Sequence, residues 1–403
     1  MRIVILGNGF AGVSALETIL QHNTPAQVTL ISGEDHGFYS PASLFAYLEG
    51  RVSRPNLFLR DKWTYAEAGI QTFFGKRAVR LDAVRKAVHL EDGTLVPYDR
   101  LLIATGAGTA SLGVPGETHR GVFKLDTLAD AEAILAHGGR QVVIAGAGRI
   151  GVELAAVLRE GGAQVTLVEV ASTILPGVFD PEITGLILDR LWKHGVQVHL
   201  EERIVEVLGN PVEGVRTNRR TIPCDTVIVA IGRRPNVGFV DGREIRLGET
   251  GGIWVDQHLR ANEDVYAAGD CAETADFLGR RALHAVIPKA VETGHLAALN
   301  MLGHPMPYQG SINANVLIAF GRAFFSIGLM DGERVRRAVG DKLHLFYVLP
   351  EGRLVGAQFA GEVPEAAQAF SAIRRGIQMA GEFRFDALRR RLFLPAVYPS
   401  PPR

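Results

Sequence analysis

Short runs in which nearly every residue is apolar mark strands buried on both faces, and the chain carries several. Residues 3–6 (IVIL) and 142–145 (VVIA) each run into a spaced glycine triplet and then into apolar residues at helical spacing. A second strand pattern follows each, VTLIS at 28–32 and VTLVE at 165–169. The same sentence is written twice, which predicts two βαβ units. Further apolar runs at 101–104, 227–231 and 265–268 predict strands that stop at Thr105-Gly106, at Gly232 and just before Asp270. The segment VIPKAVETGHLAALNML predicts a helix with Pro288 suited to its first position and Lys289 beside it. After residue 310 the pattern changes to the alternating stretches NVLIAFGRAFFSIGL and KLHLFYVLP, separated by Asp331-Gly332 and Glu351-Gly352 turns, and turns helical from Pro364. That last part reads as α+β.

The glycines Gly7, Gly9 and Gly12, and again Gly146, Gly148 and Gly151, have mechanical roles. The first makes the tight turn off the strand, the second lets the backbone approach a pyrophosphate, and the third lets the helix pack on the strand while its amides face the phosphates. Phe10 and Ala11, and then Arg149 and Ile150, stand between the second and third glycines. Two such loops imply two dinucleotide sites. Glu169, 18 residues past Gly151, stands at a strand end where a carboxylate accepts from both hydroxyls of an adenosine ribose and repels a 2′-phosphate. No Arg or Lys occurs at 170–175, so the second site reads as one for NADH rather than NADPH. In the first unit the aligned position is Ser32 and the acid comes two residues later, as Glu34. Glu34 is either a ribose ligand or an exposed loop carboxylate.

At 403 residues the chain is long enough for two or three domains, and its 43 Lys plus Arg balance 43 Asp plus Glu. No global field points to nucleic acid. Cys224 and Cys271 are isolated thiols, as a reducing compartment allows. No apolar run is long enough for a membrane span, and the first strand starts at once after Met1. A soluble, cytoplasmic protein is expected, with no metal site.

Three further segments, YDRLLIATGA at 98–107, CDTVIVAIGRRPN at 224–236 and DVYAAGDCAE at 264–273, fall in order with the two glycine loops. Together over residues 1–309 they resemble the two-dinucleotide-binding-domain flavoprotein family, pyridine nucleotide-disulfide oxidoreductase-like. Within it the chain is most similar to NADH:rubredoxin and ferredoxin reductases and to the flavoprotein part of NADH-dependent nitrite reductase. The resemblance implies an α/β fold: two Rossmann-like dinucleotide-binding domains, for FAD and NAD, plus a small α+β carboxy-terminal domain. The FAD domain would be residues 1–108 and 240–309, the NAD domain 109–239, and the carboxy-terminal interface domain 310–403. The implied FAD contacts are Gly7, Gly9, Phe10, Ala11, Gly12, Glu34, Val79, Thr105, Gly106 and Asp270, the last accepting from a ribityl hydroxyl. The implied NADH contacts are Gly146, Gly148, Arg149, Ile150, Gly151 and Glu169, with Gly232 at the return crossing. The helix bearing Lys289 would aim its positive end at the flavin pyrimidine. Glu153 takes the place of a glutamate near the nicotinamide, or is a structural helix carboxylate. The chain departs from the family in lacking the lysine that often pairs with that glutamate, and in placing Arg149 where disulfide reductases often have an aromatic gate.

In FYSPASLFAYLEG, where disulfide reductases keep a redox cysteine, no cysteine occurs. The resemblance therefore implies NADH reducing FAD, and FAD passing electrons directly to an external acceptor such as rubredoxin, ferredoxin or a partner subunit. An NADH oxidase making hydrogen peroxide is the alternative. A flavin-bearing sensor is a third, but its hallmark, loss of the nicotinamide site, is absent. The ending LFLPAVYPSPP resembles the tail of a dimerisation domain and suggests a homodimer. In FRFDALRRRLFLP, Arg384, Arg389, Arg390 and Arg391 interleave with Phe385, Leu388 and Leu392, predicting an amphipathic helix whose basic face is solvated or docks an acidic carrier.

Overall fold

The computed structural model describes residues 1–23, 25–340, 342–361 and 365–378. They form two compact units, Met1–Asn313 with Leu317–Gly321, and Ala314–Val316 with the described residues from Arg322 onward. The expected tail features at 384–402 lie outside the described residues.

The first unit is built on two five-stranded parallel sheets. One has the order Val265–Ala267, Arg100–Ile103, Arg2–Leu6, Gln27–Ser32, Gln71–Phe74, and the other Val122–Phe123, Thr226–Val229, Gln141–Ala145, Gln164–Val168, Gln197–His199. The strand leading into each glycine loop is central, between its βαβ partner and a crossing strand. Covered on both faces, these strands read as apolar runs, and Ile3, Ile5 and Ile144 are fully buried. Val265 pairs with Leu101, so the first sheet is completed by a strand that follows the whole second sheet in sequence.

The longer helices of this unit are α1 (Phe10–Gln21), α2 (Leu128–His137), α3 (Arg149–Glu160), α4 (Pro181–Lys193) and α5 (Ile287–Met301). Helix α2 starts in a capping box between Thr127 and Asp130 and stops at left-handed Gly138. α1 and α5 meet backbone to backbone, because a Cβ on Gly294 would lie 2.1 Å from the Ala11 carbonyl oxygen.

The second unit holds antiparallel strands in the order Arg322–Gly328, Leu354–Ala360, Lys342–Val348, Glu333–Val339. Helix α6 (Glu365–Arg374) buries Ala366, Ala369, Ala372 and Ile373. Two of these strands, Glu333–Val339 and Leu354–Ala360, have no counterpart in the hydrophobic pattern. Boundaries also shift slightly. The strand expected at 227–231 ends at Val229, that expected at 265–268 ends at Ala267, and α5 begins at Ile287, one residue before Pro288.

Glycine packing gives a direct stability test. Gly185, inside α4, has open space where a Cβ would stand. Gly185→Ala should therefore stabilise the protein by about 0.5–1 kcal/mol through helix propensity. Gly294→Ala should destabilise it by about 1–3 kcal/mol, as overpacking does. Paired denaturant titrations measure the contrast.

Candidate active site

Each glycine loop has two glycines fixed by packing and one facing open space. A Cβ on Gly7 would lie 2.1 Å from the Ala104 carbonyl oxygen, and one on Gly12 would lie 2.0 Å from the Gly7 oxygen. In the second loop the matching approaches are 2.5 Å from Ala230 to Gly146 and 2.0 Å from Gly146 to Gly151. At Gly9 and Gly148 nothing lies within 4 Å. Both are helix N-caps without a side-chain cap, so the first-turn amides of α1 and α3 remain for an anionic group in that space. Phe10 opens α1 and packs edge-on against Phe38 at 5.1 Å, Ala11 is buried against α5, and Ile150 is half-buried in the first turn of α3.

The acids after the second strands differ. Glu169 is 7% exposed and accepts from the Ala147 amide at 2.7 Å and the Ala171 amide at 2.9 Å. It thereby ties its strand end to the glycine loop, and each oxygen keeps a second lone pair for a ribose hydroxyl. Glu34 is held through one oxygen only: Tyr39 Oη donates to Oε2 at 3.1 Å, and His36 Nε2 lies 3.0 Å away. Burial lowers the His36 pKa, but its bonds to Glu34 and the Gly37 carbonyl outweigh this and the net shift is upward. Glu34 Oε1 has no protein partner among the described residues. A cavity of about 330 Å³ opens there, lined by Gly33, Glu34, His36, Arg54, Arg77 and Leu128 among others. Val79, on the strand Ala78–Asp82, is 53% exposed.

The two crossings between the sheets run side by side. Ala107–Thr109 pairs antiparallel with Arg233–Pro235, and Thr105 and Asn236 bond reciprocally, Oγ1 to the Asn236 carbonyl at 2.7 Å and Nδ2 to the Thr105 carbonyl at 2.9 Å. Gly106 and Gly232, both at positive φ, make the turns into this ribbon.

A charged centre forms around Asp270, which sits in a short 3-10 turn at Gly269–Cys271. Burial pushes its carboxyl up, while Arg233, Lys289 and Arg149 pull it down, and the net shift is upward. No described residue donates a hydrogen bond to it. A half-buried acceptor with no protein donor fits a ligand hydroxyl. Lys289 is 2% exposed and donates to the Ala272 carbonyl at 2.8 Å. Burial brings its pKa down to about 8, against the pull of Asp270. The ammonium is thus turned inward beneath the start of α5, and at that helix end it is Ile287 and Pro288 that are exposed. Glu153 stands one turn along α3 from Arg149, whose Nη1 is 3.6 Å from its carboxylate. The amide of Ile318, in the same compact unit, approaches the other oxygen at 3.4 Å. Burial pushes Glu153 up to about 7 in spite of both. No lysine pairs with it among the described residues. The sequence reading missed Tyr39, Asn236 and Arg233 as site residues; Arg233 and Asn236 lie within the quoted IGRRPN motif, and nothing local marked Tyr39.

Residues 1–295 match the family described as pyridine nucleotide-disulphide oxidoreductase. The chain belongs to this family. Membership brings FAD and a nicotinamide nucleotide as cofactors and NAD(P)H-dependent oxidoreductase activity. A nitrite reductase [NAD(P)H] of Bacillus subtilis is 29% identical over 96% of this chain, and the chain spans 49% of it, about half its length. The ferredoxin reductase subunit of a 5,5'-dehydrodivanillate O-demethylase from a Sphingobium species is 34% identical over 76% of each chain. Among solved structures, an NAD-dependent persulfide reductase from A. fulgidus superposes with a TM-score of 0.87 at 26% identity, over 94% of this chain and 77% of that one. No helix among the described residues is long and apolar enough to cross a membrane.

Two substitutions test the acids. Glu169→Ala should strand the Ala147 and Ala171 amides, costing about 1–3 kcal/mol of unfolding free energy in a denaturant titration. Glu153 holds a proton in the folded chain up to about pH 7 that it releases near its ordinary value when unfolded. Its contribution is therefore lost as pH rises through that window. Glu153→Gln should gain on the order of 2 kcal/mol over wild type at pH 8 and nothing at pH 4, read by denaturant titration.

Proposed function

We propose that the chain is an FAD-dependent NADH:acceptor oxidoreductase that passes electrons from the flavin directly to an external acceptor, a small iron protein or a partner subunit, without a redox disulfide. The observation that carries this reading is the state of the thiols. Cys224 and Cys271 are the chain's two cysteines, both free and buried. Burial pushes the Cys224 thiol up to about 12 and raises that of Cys271, whose Sγ is engaged by the carbonyls of Ile103 and Ala268. A protonated, enclosed thiol is a poor relay. The Tyr39–Leu48 segment supplies none either.

The residues divide the binding work. The Gly9 loop and α1 amides would hold the FAD pyrophosphate, Glu34 Oε1 its adenosine ribose, and Asp270 a ribityl hydroxyl, with Thr105, Gly106 and Val79 along its length. The Gly148 loop and α3 amides would hold the NADH pyrophosphate, and Glu169 the ribose. Lys289 and the uncapped start of α5 would place positive potential at the pyrimidine end, where negative charge develops on reduction. Bound FAD supplies the acceptance of a hydride and the release of electrons one at a time. Orientation is what the protein adds. NADH preference rests on Glu169 and on the absence of basic residues at 170–175.

The purified protein should be yellow, with one noncovalent FAD per chain, and Asp270→Ala should lose FAD on dialysis. Anaerobic titration should consume two electrons per flavin, and Cys224→Ser with Cys271→Ser should leave turnover intact; uptake of four electrons would reveal a redox disulfide. After anaerobic reduction by NADH, reoxidation should be faster with ferredoxin or rubredoxin than with oxygen or a quinone. Oxygen as the fastest acceptor would instead support an NADH oxidase.

A further inference from the structure

We propose that Asn8, aimed by the buried hydroxyl of Tyr65, is a side-chain donor to a phosphate oxygen of the FAD pyrophosphate. The inference rests on the reading of the Gly7–Gly12 loop as the FAD site.

The two glycine loops are tied down differently at the residue between their first and second glycines. In the second loop this residue is Ala147, whose amide donates to Glu169 at 2.7 Å. In the first unit the position of Glu169 is taken by Ser32, whose hydroxyl accepts from the Glu34 amide at 3.2 Å. The first loop is held through a side chain instead: Tyr65 Oη donates to Asn8 Oδ1 at 2.6 Å.

Tyr65 is a firm anchor. It lies on the short helix Trp63–Glu67 and is fully buried, its ring edge-on to Phe74 at 5.5 Å and the Arg60 guanidinium 5.6 Å from its centroid. Arg60 is itself paired with Glu17 at 2.6 Å. Burial pushes the phenol up to about 12, so it keeps its proton. A buried hydroxyl has to donate somewhere, and Asn8 Oδ1 is its one acceptor among the described residues. That fixes which end of the amide meets Tyr65. Asn8 is half-buried, and its Nδ2 has no partner among the described residues, so both N–H groups of the amide are left open on the loop.

The neighbourhood decides what they bind. Asn8 adjoins Gly9, where a Cβ would meet nothing within 4 Å, and Gly9 caps α1 without a side chain. No acidic residue occurs in the first turn of α1. Side-chain and backbone donors thus occur on adjacent residues of one loop, which suits an anionic group with several lone pairs better than a hydroxyl. Within FAD that group is the pyrophosphate. Ala147 has no polar side chain, so Asn8 gives the first loop a donor that the second lacks.

Flavin fluorescence on serial dilution of the FAD-loaded protein gives the FAD dissociation constant and tests this. Asn8→Ala should weaken FAD by about tenfold. Asn8→Asp keeps an oxygen for Tyr65 but turns a carboxylate oxygen toward the phosphate, so it should weaken FAD by about tenfold more. Tyr65→Phe should weaken FAD by about fivefold in the wild-type loop and add nothing in Asn8→Ala, because it acts through the amide. Circular dichroism checks that each variant is folded; if Asn8→Ala is not, Asn8→Asp, which retains the Tyr65 bond, carries the test. FAD held as tightly by Asn8→Asp as by wild type would direct Nδ2 at a ribose hydroxyl and overturns the proposal. Equal effects of Tyr65→Phe in both backgrounds overturn its role in aiming Asn8. Wild type that binds no FAD overturns the site reading and this inference together, whereas FAD binding unmoved by any of these changes overturns the inference alone.

Discussion

The first unit depends on places where a side chain is missing. Gly12 and Gly151 let their helices sit on the glycine turns of their own loops at a separation no Cβ tolerates, and Gly7 and Gly146 let those turns rest on the carbonyls of Ala104 and Ala230. Those two carbonyls lie just past the ends of the crossing strands Arg100–Ile103 and Thr226–Val229. One contact therefore fixes three things: helix on strand, loop on crossing strand, and the direction in which the first-turn amides point. The space at Gly9 and Gly148 is what remains when those contacts are satisfied.

How legible each part was in the sequence follows from how it is buried. Parallel strands covered by helices need apolar residues at every position, so IVIL and VVIA were readable, and boundaries slipped only where an apolar run outlasts its ladder, as at Ala230 and Ile231. Glu333–Val339 was invisible because an edge strand can expose Glu333, Arg334, Arg336 and Arg337 and still pair through its backbone. Leu354–Ala360 was hidden for the opposite reason: it is buried throughout, but Gly356 and Gln358 interrupt its apolar pattern.

The site shows the same division. Glu169 was readable as an acid at a strand end, yet its grip on the Ala147 and Ala171 amides requires knowing where the loop folds. Lys289 was readable as a residue at a helix start, but its spacing carries no sign that the ammonium turns inward to Ala272. The field of Arg149 and Arg233 on Asp270 joins residues from three separate segments. Only the packing of the two sheets brings them within range of one another.

Tyr39 has a reach beyond its own segment. Its hydroxyl donates to Glu34 Oε2 and accepts from the Leu128 amide at 2.9 Å, at the start of α2. Glu34 belongs to the first glycine unit and α2 to the chain that enters the second, so one phenol oxygen links the acid of the first unit to the neighbouring module. Thermodynamic reciprocity then applies. If the Tyr39 bond steadies Glu34 for a ribose, a ribose on Glu34 steadies the seam by the same free energy. Filling the first nucleotide site would thus stiffen the joint on which the second one is carried, with neither ligand touching the other.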